Sequence, residues 1–135
     1  MKKIIPAFLL VLSTFSCQKV KEQTAQDIVL AIMTNGEWIM HQYIENGTDI
    51  TSQWNGISFK YFSDYSVNAI KSGSVISTGT WGYNTSDTTF NANFPSTTND
   101  TLLKINGSWR WKDSSPTYVK AKHKVRNDQL WLIKL

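Results

Sequence analysis

The chain has 135 residues, enough for one domain, and its single cysteine excludes an internal disulfide scaffold. Its 14 basic and 10 acidic residues give a formal charge of +4, but two of the lysines, Lys2 and Lys3, fall in a segment that reads as export signal rather than structure. Without them 12 basic residues face 10 acidic ones and the charge is +2, which removes the case for a nucleic-acid-binding protein.

Met1-Lys2-Lys3 is a cationic start, Ile4 to Leu12 is an apolar run interrupted only by Pro6, and Ser13 to Ser16 form a short exit. The run is far shorter than the roughly 20 residues that a membrane-spanning helix needs, so residues 1–16 read as a cleavable signal. The exit ends on Cys17, and the sequence of basic start, apolar core and Ser-Cys junction resembles a bacterial lipoprotein signal. That resemblance implies a diacylglycerol on the Cys17 thiol, cleavage just before it, and an acylated new amino terminus. The protein would then sit in the bacterial cell envelope, at the outer membrane, with the lipid anchor as its membrane partner. Thr14 stands where the family usually has Leu, and plain secretory cleavage is the alternative. Residues 17–23 are a polar tether, and 24–135 are the folding domain.

Thr24 to Asp27 is a capping-box variant, and Ile28, Val29, Ile32 and Met33 follow at helical spacing, predicting a helix over 25–33 that closes one end of the domain. Asn35-Gly36 ends it. Glu37 to Glu45 alternates as a strand, with Trp38, Met40, Gln42 and Ile44 on one face and Ile39, His41 and Tyr43 on the other. Asn46 to Asp49 turns, and a loop runs to Gln53. Further strands are expected over Ile57 to Phe62, Tyr65 to Ile70, Val75 to Tyr83 and Thr88 to Phe94. After a polar loop, Thr101 to Lys112 reads as one strand with Leu103, Ile105, Trp109 and Trp111 on a common face. Thr117 to Val125 and Gln129 to Leu135 complete about eight short strands, predicting an all-β antiparallel barrel, with a two-sheet sandwich as the alternative.

Gly-x-Trp occurs three times, at Gly36-Glu37-Trp38, Gly79-Thr80-Trp81 and Gly107-Ser108-Trp109. A glycine two residues before a tryptophan shares its sheet face, so the indole covers a place where the backbone has no side chain. The first copy, following a short helix, resembles the opening motif of the lipocalins, and residues 24 to 135 look like the lipocalin-like domains of bacterial envelope lipoproteins. The resemblance implies an up-and-down barrel and a basic residue, Arg126 or Lys124, packed over Trp38.

The predicted faces assign Trp38, Met40, Phe59, Tyr61, Trp81, Tyr83, Phe90, Phe94, Leu103, Ile105, Trp109, Trp111, Trp131 and Ile133 to the interior; His123, alternating with Val119, Ala121 and Val125, reads first as an ordinary hydrogen-bonded side chain and in the alternative as a polar anchor among them. Such a lining either fills the barrel or leaves room for one small hydrophobic molecule. Lys120, Lys122, Lys124 and Arg126 share the opposite face, a solvated wall or a contact for anionic head groups or an acidic partner. His41 and His123 lack companions for a metal site, and neither a Gly-x-Ser-x-Gly elbow nor a phosphate-cradling glycine loop occurs, so no cofactor, metal or enzymatic activity is expected. The leading expectation is carriage of a small apolar molecule, against a filled barrel working through its outer surface. The mature chain is expected to begin at Cys17 with a lipid-sized mass increment, and Cys17→Ser to move it from the membrane to the soluble fraction; intact-mass measurement and fractionation check both.

Overall fold

A computed structural model describes residues 25–95 and 99–135. The expected signal segment, Cys17, the tether and the Thr24 cap lie outside the described residues. Residues 25–34 form helix α1. Nine strands follow: β1 (Trp38–Glu45), β2 (Thr48–Asp49), β3 (Ile57–Tyr61), β4 (Ser66–Lys71), β5 (Ser74–Asn84), β6 (Thr89–Asn93), β7 (Gly107–Ser115), β8 (Tyr118–His123) and β9 (Asp128–Lys134). A 3-10 turn, Thr51–Trp54, precedes β3, and a one-turn helix α2, Asp100–Leu103, precedes β7.

From β3 onward each strand pairs antiparallel with the next, and β9 returns to β1 along its whole length, from Trp38 opposite Lys134 to Glu45 opposite Asp128. Eight strands thus close an up-and-down barrel, with β2 only folding back on the end of β1. Closure removes the exposed edges that a sandwich would keep. The weakest seam joins β1 to β3, which pair only at Trp38 with Phe59 and Ile39 with Ser58. Beyond it the 3-10 segment satisfies the free edge of β1: Ile50 N–H donates to the Tyr43 carbonyl, and Tyr43 N–H donates to Thr51 Oγ1, each at 3.0 Å.

The core runs the length of the barrel. Trp38, Phe59, Leu102, Ile105, Trp109 and Leu132 have no exposed surface, and Tyr61, Trp81, Phe90 and Phe94 have almost none. Each Gly-x-Trp indole donates its N–H to a backbone carbonyl in a segment that closes the barrel: Trp38 to Met33 at the end of α1, Trp81 to Phe62 in the β3–β4 turn, and Trp109 to Ile105 after α2. These pairings meet the demand that a buried indole N–H find a partner.

Four sequence expectations are corrected. Thr101 to Lys112 is not one strand, because Asn99 Oδ1 accepts from the N–H groups of Thr101 and Leu102 and caps α2; Leu102, not Leu103, is then the fully buried leucine. In β1 the pairing with β9 slips between Met40 and Gln42, a bulge with His41 as its extra residue. The face therefore switches, and Tyr43 rather than Gln42 is buried. In β9 the inward residues are Leu130 and Leu132, leaving Trp131 and Ile133 on the outer face. Finally β8 ends at His123, so Val125 is 89% exposed in the following turn, Lys124 and Arg126 leave the strand, and Lys134 instead lies over Trp38, its Nζ 5.0 Å from the ring centroid.

Gly79 shows why one copy of the motif needs its glycine. A Cβ there would sit 2.5 Å from the Asn93 carbonyl oxygen and 2.9 Å from Phe94 Cδ1. At Gly82 the nearest group is the movable carboxamide of Asn91. Gly79→Ala is expected to lose about 1–3 kcal/mol by overpacking, and Gly82→Ala clearly less; chemical denaturation of the two variants checks the difference.

Candidate functional site

The two ends of the barrel are built differently. At the end holding α2 and the 3-10 turn, the aromatic side chains interlock, and a hollow of about 490 Å³ opens beside Trp54 at the β1–β3 seam. Tyr43 stacks on Trp54 at 5.3 Å and meets Trp109 edge-on at 6.0 Å, while Phe59 lies between Trp54 and Phe94 at 6.1 and 6.2 Å. Most polar groups there are consumed by structure, although the buried indole N–H of Trp54 has no hydrogen-bond partner. Tyr43 OH donates to Asp128 Oδ2 at 2.9 Å, and Arg126 bridges Asp128 at 3.5 Å while also donating to the carbonyls of Lys104 and Asn106. Burial, reinforced by the Asp128 carboxylate, holds the Tyr43 hydroxyl well above its ordinary range, so it stays a donor.

His123 belongs to this end. Its Nδ1 accepts from the N–H groups of Val125 (3.1 Å) and Arg126 (2.9 Å), which assigns the proton to Nε2, 3.2 Å from the Asn106 carbonyl. It meets Trp109 edge-on at 4.9 Å and shares its inward face with Val119 and Ala121. The imidazole thus ties the β8–β9 turn to the segment entering β7. Gly107 lets it come this close: its φ is +111°, and a Cβ there would lie 2.5 Å from Nε2.

The opposite end, under α1, is looser and wholly different in character. Ile28, Val29, Ile32 and Met33 of the helix face Trp111, Pro116 and Val119, with Ser114 and Ser115, across a mainly apolar pocket of about 370 Å³. On the far side of the same mouth Trp81, Tyr61, Tyr65 and Tyr83 form a ring cluster with centroid spacings of 5.3 to 6.2 Å. Three polar ties hold α1 in place: Tyr83 OH to the Gln26 carbonyl at 2.9 Å, Trp38 Nε1 to Met33 at 3.1 Å, and Lys134 Nζ to Ile32 at 3.2 Å. The helix is therefore anchored at its C-terminal end and by one hydroxyl near residue 26, with the pocket between.

The structure brings Trp38, Met40, Phe59, Tyr61, Trp81, Phe90, Phe94, Trp109 and His123 together in the interior, each 9% exposed or less. They fill it. Tyr83 and Trp111 are half-buried towards the α1 end, and Trp131 and Ile133 are outside. The basic set divides: Lys120 and Lys122 stand on the outer face of β8, whereas Lys124 and Arg126 lie in the turn after it. What the sequence reading missed is the pocket itself. The helical stripe was visible, but nothing local places the hairpin of Ser114 to Pro116 under α1.

No family profile and no curated protein matches the chain. Solved structures share its architecture, among them two of Bacteroides proteins. A DUF4847 family protein from Bacteroides vulgatus aligns with a TM-score of 0.59 at 16% identity, over 78% of this chain and 96% of its own. A lipocalin-like protein from Bacteroides uniformis aligns at 0.56 and 15% identity, over 76% and 98%. The fold is a lipocalin-like barrel, reached at a sequence distance where only the architecture carries over.

Burial, and secondarily the Arg126 charge, hold the His123 imidazole below its unfolded value of 6.5, against weaker opposite pulls from the Asn106 carbonyl and Asp128. The unfolded chain therefore takes up a proton that the folded one refuses. Its contribution to stability is complete above 6.5 and is lost as the pH falls below that value through the folded one. Denaturation midpoints are expected to drop on acidification across that window, and His123→Gln to flatten that part of the profile.

Proposed function

We propose that the protein is a non-enzymatic, lipid-anchored module of the bacterial cell envelope that holds one small apolar molecule at the α1 end of its barrel. The observation that carries this reading is the pocket of about 370 Å³ between α1 and the β7–β8 hairpin, stacked directly on a filled core. Its volume falls at the small end of ligand pockets, which run from roughly 300 to 1,000 Å³ and are mostly apolar with a few polar groups. Ser114 and Ser115 supply hydroxyls, and among the described residues no histidine or carboxylate lines the space, so its chemistry suits retention rather than reaction. The ligand site is thus the mouth and not the centre, where the aromatic packing leaves no room. The lipoprotein-like signal ending at Cys17 supports the anchor, which would hold the domain at the membrane from the chain end that leads into α1.

Trp111 lines the pocket and serves as its reporter. Medium-chain fatty acids are expected to quench its emission, and a hydrophobic molecule to be extracted from protein purified out of a bacterial envelope. Val119→Trp, which fills the space, is expected to abolish both without unfolding the barrel. Fluorescence titration with native mass spectrometry checks the reading; an apo mass with no quenching by any fatty acid would sink it.

A further inference from the structure

A second feature lies on the outer wall, away from the α1 pocket and independent of it. Across β7, β8, β9 and β1, a groove of about 500 Å³ is lined by Lys112, Lys120, Lys122, Gln129, Trp131 and Gln42. The strand register builds it: Lys120 lies opposite Trp131, Lys122 opposite Gln129, and Trp131 opposite Gln42. Among the described residues no carboxylate lies within ion-pair distance of its three ammonium groups, although Asp113 stands opposite Lys120 in the β7–β8 ladder. A smaller adjoining hollow, sharing Lys112 and Lys122, adds Arg110 and Lys124.

Two details go against stability alone. Arg110 sits directly opposite Lys122 in the β7–β8 ladder, a like-charge pair that weakens a sheet rather than supporting it. The indole Nε1 of Trp131 is buried without a hydrogen-bond partner, as is that of Trp54 in the core.

We infer that this groove binds an acidic oligosaccharide, a sugar chain carrying carboxylate or sulfate groups. The ammonium groups match the anions. The carboxamides of Gln42 and Gln129 both donate and accept, as sugar hydroxyls require. A nucleic acid fits poorly, because Lys120 Nζ lies 4.0 Å from the centroid of the Trp131 ring and occupies the face on which a base would stack, while His41 crowds the ring at 4.3 Å. A flat membrane surface fits poorly as well, since the groups line a concavity between strands rather than a protruding ridge. Bound anions would also relieve the repulsion between Arg110 and Lys122.

The test is calorimetric titration of the full chain with tetragalacturonate and with its neutral methyl ester. Binding of the acid, about tenfold or more tighter than the ester and weakening steeply with salt, is expected. The oligomer is also expected to raise the unfolding temperature. Lys120→Glu with Lys122→Glu should weaken binding about tenfold or more and erase that shift; Lys122→Gln, a milder change that keeps the fold, should weaken it in part. Equal affinity for acid and ester, no binding of either, or full affinity in both variants would overturn the assignment. So would association with phosphatidylglycerol vesicles that the double variant loses while neither sugar binds.

Discussion

Trp38 is the knot on which the barrel depends. It lies at the weak β1–β3 seam and at the start of the β1–β9 closure, opposite Phe59 on one side and Lys134 on the other. Its N–H holds the last turn of α1 through the Met33 carbonyl, and Lys134 covers its ring while donating to Ile32. One fully buried indole therefore ties the helix, the first strand and the last strand together. Closure of an up-and-down barrel needs its first and last strands to meet, a contact of maximal sequence separation and hence of high entropic cost. A large ring with a satisfied donor and a cation on its face concentrates the compensating interactions at that meeting point.

The same economy of space decides where a ligand can go. An eight-stranded interior is only just wide enough for side chains, and here nearly every inward position on the α2 side carries a ring or a branched aliphatic group. Trp109, Tyr43, Trp54, Phe59 and Phe94 leave that half solid. Free volume survives where the wall stops and the helix begins, at the β1–β3 seam beside Trp54, and in the groove on the outer wall. Both candidate surfaces are thus consequences of a filled core: one lies above it, and the other lies outside it.

Much of the architecture was legible in the alternation of Ile57, Phe59 and Tyr61, or of Phe90, Ala92 and Phe94, because each strand of a small barrel has one dry face and one wet face. The alternation failed where one residue changed the phase. The bulge at His41 exchanged Gln42 for Tyr43, and in β9 the alternating pair of apolar sets, Leu130 with Leu132 and Trp131 with Ile133, offered no local reason to prefer one. The Asn99 cap turned the start of a supposed strand into α2. Its signal was present, an Asn ahead of an acid and two leucines, but the longer alternating run behind it masked it. The basic residue over Trp38 was anticipated in kind and misplaced in position, since the residue opposite Trp38 follows from the β1–β9 register and not from order along the chain.

The sequence by itself determined that the domain is all-β with one amphipathic helix and which residues of most strands face inward, because these are properties of period, composition and local turn chemistry. Only the tertiary structure decided that the sheet closes, that the interior is full, and that α1 and the β7–β8 hairpin meet around a pocket. It alone set Lys112, Lys120, Lys122 and Trp131 around one groove. Those facts depend on register between distant strands, and register is fixed by how whole side chains fill a shared volume, a quantity no local stretch of sequence contains.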